Sequence, residues 1–103
     1  MVIFQFHHYI KPEFIDAYKT AILEDARESI KEKGMLSFQV FEDKNDPAHF
    51  SLLEIYQDMQ AREFHLQQPY CLKFKEAVTG QEMFAREGTG DEFNLLFPSD
   101  LQP

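Results

Sequence analysis

His65 and Glu54 are the side chains in this sequence best suited to chemistry. An imidazole titrates near neutral pH and can exchange a proton with a phenol or an enol, which makes His65 the leading general base. As plain structure it is a helix histidine bonding a strand carbonyl or Glu54. Glu54 falls within the run Phe50, Leu52, Glu54, Tyr56, where a carboxylate among apolar neighbours needs a partner. It either orients His65, in the base-plus-orienter arrangement of catalytic sites, or pairs with an Arg or Lys across a subunit interface. Tyr9 and Tyr56 can donate a hydrogen bond to a substrate oxygen, and Phe38 and Phe64 can add apolar contact. In a chain with 11 Phe, the two tyrosines read first as core.

Other groups offer less. His7 and His8 are adjacent on an expected strand and point to opposite faces, so they cannot chelate one ion; His49 sits in a turn. No His, Cys, Asp or Glu group has a recognised ligand spacing, so no metal site is expected. Cys71 lacks the neighbouring cations that make a reactive thiolate and reads as a packing residue. Phosphate loops, nucleophile elbows and dinucleotide fingerprints are missing from the sequence, and no cofactor is expected.

The elements that must position these residues follow from periodicity. Val2, Phe4, Phe6, His8 and Ile10 fall on one face of a first strand; Ile3, Gln5, His7 and Tyr9 fall on the other. Pro12 opens a helix that runs to Lys33 with Phe14, Tyr18, Ile22, Ala26 and Ile30 as its apolar stripe, and Gly34 ends it, able to take a positive φ. Residues 36–41 and 50–56 alternate as two strands around the turn Asp43-Lys44-Asn45-Asp46-Pro47. Asp58 caps the helix that carries Ala61, Phe64 and His65. Pro69 starts another that Gly80 ends, residues 81–87 form a fourth strand, and Gly88-Thr89-Gly90-Asp91 reads as a turn. The order strand, helix, strand, strand, helix, strand predicts an α+β, ferredoxin-like βαββαβ fold.

Bulk properties bound the function. A chain of 103 residues with 44% hydrophobic content is one folded domain, too small to cover all its apolar surface alone. The free sheet face is therefore the expected homodimer contact. Residues 88–103 form an apolar tail expected to pack on the cleft or on a second subunit. A net charge of −8 argues against nucleic acid. No apolar run reaches about 18 residues, no leader of basic then apolar residues is present, and the single cysteine suits a reducing compartment. The expectation is a cytoplasmic protein, with no membrane partner, acting on a small molecule.

Gly34, Phe38, Val40, Asp43, Asp46-Pro47, Phe50, Glu54, Tyr56, Asp58, Ala61, His65 and Pro69-Tyr70 together resemble the antibiotic biosynthesis monooxygenase (ABM) domain family over roughly residues 2–87. The run Glu54-Ile55-Tyr56-Gln57-Asp58 and the tail Phe93-Asn94-Leu95-Leu96-Phe97-Pro98 are similar to the branch of quinol monooxygenases and of the enzyme that processes phosphorylated autoinducer-2. Haem-degrading members use an Asn, Trp and His set; this chain has no Trp and carries Lys75 near the place of their haem-ligating His. The resemblance implies a dimeric α+β barrel with a pocket in each subunit between sheet and helices, His65 facing it. Three functions stay open: a monooxygenase without cofactor oxidising a quinol or polyphenol with O₂, a sugar-phosphate or small-carbonyl isomerase, and a dimeric binding domain without activity.

Overall fold

The computed structural model describes residues 1–98. Strand β1 (Val2–Ile10) leads through a 3-10 turn (Pro12–Phe14) into α1 (Ile15–Ser29). Strands β2 (Met35–Asp43) and β3 (Asp46–Tyr56) follow, then α2 (Met59–Leu66), α3 (Pro69–Gly80) and β4 (Phe84–Phe93). The four strands lie in the order β2-β3-β1-β4, every neighbouring pair antiparallel. This is the ferredoxin-like α+β arrangement, with the helices on one sheet face.

Register decides which side chains meet. Phe4 pairs with Glu54, Phe6 with Leu52 and His8 with Phe50 across β1 and β3. Because side chains alternate, Phe6, His8, Leu52 and Glu54 all turn to the helix layer. The core there holds Ile10, Tyr18, Ile22, Phe50, Leu52, Tyr56, Phe74 and Val78. Full burial of one such side chain is worth about 1.5–3 kcal/mol. That sum lets the interior also hold Asp25, Ser29, Glu54 and His65, whose burial costs stability.

Several local expectations change. The buried stripe of α1 is Tyr18, Ile22, Asp25 and Ser29, while Ile30 is 59% exposed. A strict i, i+4 row drifts around a helix of about 3.6 residues per turn, so after Ile22 the buried stripe steps back to Asp25 and Ser29, and a carboxylate enters the core. Gly34 has no positive φ; a Cβ there would stand 2.4 Å from Cβ of Ala61, so the glycine lets α2 approach. The left-handed residue after α3 is Glu82, at φ 54°.

The segment read as a turn, Gly88 to Asp91, is instead the middle of β4. Added Cβ atoms at Gly88 and Gly90 would lie 2.7 Å from the His7 carbonyl oxygen and 2.8 Å from the Phe6 ring. These glycines permit close strand approach where a turn would have used their conformational freedom. The turn before β3 is tighter than the five-residue segment, with Asp43 paired to Asp46 around Lys44 and Asn45. Asp43 and Asp46 accept from the backbone N–H groups of Asn45 and Ala48 at 2.9 and 3.0 Å. Asp58 caps α2 as its position implies, accepting from the Ala61 N–H at 2.8 Å. The tail from Asn94 to Phe97 borders the free sheet face beside Ile3, Leu53, Ile55 and Phe93. Residues 99–103 of the expected tail lie outside the described residues.

Candidate active site

A cavity of about 370 Å³ opens between the sheet and all three helices. Its apolar wall is Phe6, Leu52, Leu66, Phe74, Val78 and Phe84. Its polar groups come from five elements: His8 of β1, Asp25 of α1, Glu54 of β3, Arg62 and His65 of α2, and Cys71 and Lys75 of α3. Mostly apolar walls with a few convergent polar groups are the usual make-up of a small-molecule site.

His65 is 2% exposed, and its Nδ1 lies 2.9 Å from Oε2 of Glu32, a residue in the turn after α1. The Tyr70 hydroxyl donates to the same oxygen at 2.5 Å. Burial alone pulls the imidazole down, but hydrogen bonding to Cys71 and Glu32 outweighs it, lifting the group from its ordinary 6.5 to about 9. At neutral pH His65 therefore holds its proton. Phe38, Tyr56 and Tyr70 pack around the ring at centroid distances of 5.9, 5.7 and 6.5 Å and fix its plane.

Glu54 accepts from the Tyr56 hydroxyl at 2.5 Å. Burial raises its pKa, against the opposing pull of that hydrogen bond and of His65 and Arg62. A carboxylate so placed is a stronger base than one in water. Asp25 is raised to about 6, again by burial, although the Ser29 hydroxyl donates to it at 2.9 Å. His8 behaves oppositely: burial, and then the neighbouring His7, lower it to about 4, and its Nδ1 sits 2.7 Å from the Tyr18 hydroxyl. The wall thus carries one cationic and one neutral imidazole.

Asp25, His65 and Cys71 converge, each offering an atom within 4.8 Å of the others, although their sequence separation has no ligand signature. Zinc bond lengths near 2.0–2.3 Å put tetrahedral ligand atoms roughly 3.5 Å apart, so an ion would require the group to contract. Asp25 and His65 already have hydrogen-bond partners in Ser29 and Glu32.

Of the residues singled out from the sequence, His65 and Glu54 do share the cavity wall. The partner of His65 is Glu32, and Glu54 bonds Tyr56. Tyr56 and Phe38 are core, 0% and 7% exposed, behind the wall. Tyr9 lies on the opposite sheet face, stacked on His49 with Arg86 over its ring at 3.6 Å. Phe64 is 55% exposed and lines a separate groove near Gly34. Asp25 and Glu32 escaped sequence reasoning, which gave Cys71 only a packing role. Asp25 and Ser29 did leave a signal, being polar residues one helical turn apart in line with Tyr18 and Ile22. Glu32 left none, because a turn between helix and strand has no periodicity.

The profile of the antibiotic biosynthesis monooxygenase (ABM) family matches residues 1–77. The chain belongs to the ABM family. Solved structures agree in fold. A protein of Nitrosomonas europaea, provisionally described as an antibiotic biosynthesis monooxygenase, superposes with a TM-score of 0.88 at 23% identity, over 94% of this chain and 100% of that one. Rv0793 from Mycobacterium tuberculosis gives 0.85 at 18% identity, over 95% and 97%. A protein of Bacteroides thetaiotaomicron, also provisionally described as an antibiotic biosynthesis monooxygenase, gives 0.83 at 25% identity, over 99% and 95%. No curated protein matches the sequence. ABM membership supports a monooxygenase at the level of the family. Among the described residues no helix is long and apolar enough to cross a membrane.

Proposed function

We propose that this ABM protein is a monooxygenase that oxidises a small quinol or polyphenol with O₂ and needs no cofactor of its own. The supporting observation is the pairing, in one largely apolar cavity, of a buried carboxylate raised by burial with a buried imidazolium held by Glu32. In this reading Glu54 accepts the phenolic proton, and His65 stabilises the resulting anion without giving up its own. The base role assigned to His65 from sequence thus passes to Glu54, because an imidazole titrating at about 9 is already protonated.

The electron-rich anion reduces O₂ directly. One oxygen atom enters the ring, the other leaves as water, and the quinol becomes a hydroxyquinone. An apolar wall suits this, since water competing for the anion would raise the cost of electron transfer. An oxygen electrode and a panel of hydroquinones provide the test. His65→Gln and Glu54→Gln should each abolish most of the uptake; undiminished uptake in both would sink the assignment. As a working unit we propose a homodimer joined through the free sheet face, where Ile3, Leu53 and Ile55 meet the tail.

A second reading draws on Arg62 and Lys75, which also line the cavity and could hold a phosphate. It makes the protein a sugar-phosphate or small-carbonyl isomerase, with Glu54 moving a proton between carbons. Two further cations are engaged elsewhere: Lys73 pairs with Glu24, and Arg86 stacks on Tyr9. Turnover of a sugar phosphate under anaerobic conditions, with no response to quinols, would decide for it.

A further inference from the structure

Cys71 takes no part in the oxygenation described above. It is 3% exposed yet lines the cavity wall, so a reagent reaches Sγ through the cavity. Its sulfur and a ring nitrogen of His65 lie within 4.8 Å. With Nδ1 engaged by Glu32 at 2.9 Å, Nε2 is the nitrogen left to exchange a proton. Carboxylate, imidazole and thiol in that order form an arrangement that activates a nucleophile: the acid fixes the ring and the ring handles the thiol proton. Cys71 also lies in the first turn of α3, whose N–H groups receive no side-chain cap from Gln68, so partial positive charge faces the sulfur's end of the helix. Other charged or titratable groups facing the pair are Asp25 from α1, Glu54 from β3, Arg62 from α2, Tyr70 and Lys75 from α3 and His8 from β1.

We propose that Cys71, with His65 and Glu32, forms a nucleophilic thiol site on the cavity wall that adds covalently to quinoid electrophiles. The choice of electrophile rests on the quinol reading above, because a quinone is what oxidation of that substrate produces. In the step, the sulfur lone pair forms an S–C bond at a ring carbon conjugated to a carbonyl, and the displaced π pair moves to the carbonyl oxygen. The His65 imidazolium gives its Nε2 proton to that oxygen and takes the thiol proton in its place. The hydrogen on the attacked carbon then shifts to the second oxygen as the ring becomes aromatic, leaving a cysteinyl hydroquinone. The electron pair comes from sulfur, and no outside oxidant or reductant enters.

The test uses the full chain and p-benzoquinone, followed by intact mass and peptide mapping across a range of pH. The native chain should gain one quinone at Cys71. Below neutral pH it should react about tenfold or more faster than the same chain unfolded in guanidinium, because the fold holds the His65 imidazolium beside the sulfur, ready to protonate the quinone oxygen as the S–C bond forms. His65→Gln and Glu32→Gln should each lose that advantage while near-UV circular dichroism confirms that they fold. A native rate below the unfolded rate at every pH, as for an inert core thiol, would overturn the proposal, and so would parent-like rates in both folded variants. Oxygen uptake by the parent chain with quinols, measured separately, tests the oxygenase reading on its own, so either can fail without the other.

Discussion

At the scale of single residues, His65 does the most to couple the site to stability. Its folded-state value of about 9 lies above the ordinary 6.5, so the stability it contributes is fully present below about pH 6.5 and is lost as pH rises through 9. The contribution is at most about 3 kcal/mol, since each tenfold shift in proton affinity is worth 1.36 kcal/mol. Urea unfolding at pH values across this window should show stability falling on the alkaline side, with His65→Gln flattening the fall. An unchanged slope in the variant would remove His65 from the account. His8 has the opposite sign: its folded value of about 4 makes it a source of stability above 6.5 that fades as pH drops toward 4. His8→Phe should therefore soften the acid limb, read by the same unfolding measurements.

At the scale of elements, glycine and left-handed positions show where close packing overrides local preference. Gly34→Ala puts a methyl 2.4 Å from Cβ of Ala61, and α2, which carries His65, must move. A loss of about 1–3 kcal/mol is expected from overpacking of this kind. The double variant Gly34→Ala with Ala61→Gly should recover part of it in urea melts; no recovery would mean the close approach is not the cause. After α3, Glu82 occupies the left-handed region at φ 54°, where a non-glycine residue costs about 1–2 kcal/mol. Glu82→Gly should stabilise the chain, by less than that figure because glycine also loosens the unfolded state. Thermal unfolding measures the difference directly.

At the scale of the whole molecule, one sheet face is covered by helices and, among the described residues, the other is not. Ile3, Leu53, Ile55 and Phe93 border the free face, and Leu96 and Phe97 of the tail remain 88% and 87% exposed. Apolar surface of that kind on a small domain is ordinarily covered by a partner. Sedimentation velocity should find a dimer, and Leu53→Asp with Ile55→Asp should dissociate it while far-UV circular dichroism stays unchanged. A monomeric parent chain would defeat the homodimer reading. Dissociation that leaves quinol-dependent oxygen uptake intact would show that each cavity works alone, as expected from walls drawn from one chain.

Short-range pattern alone determined much of this protein. Alternation set the faces of β1 and β3 and so placed Glu54 toward the helices, while Asp58 and Pro69 marked the starts of α2 and α3. These features follow from the period of a strand and the unpaired N–H groups of a helix, which neighbouring residues reveal. Partnerships were not legible in the same way. That His65 meets Glu32 and Cys71, that Asp25 enters the core, and that Gly88 and Gly90 belong inside β4 all depend on contacts between segments distant in sequence. Tertiary structure therefore decided the protonation of the site: which carboxylate faces which imidazole sets whether His65 takes a proton or already holds one.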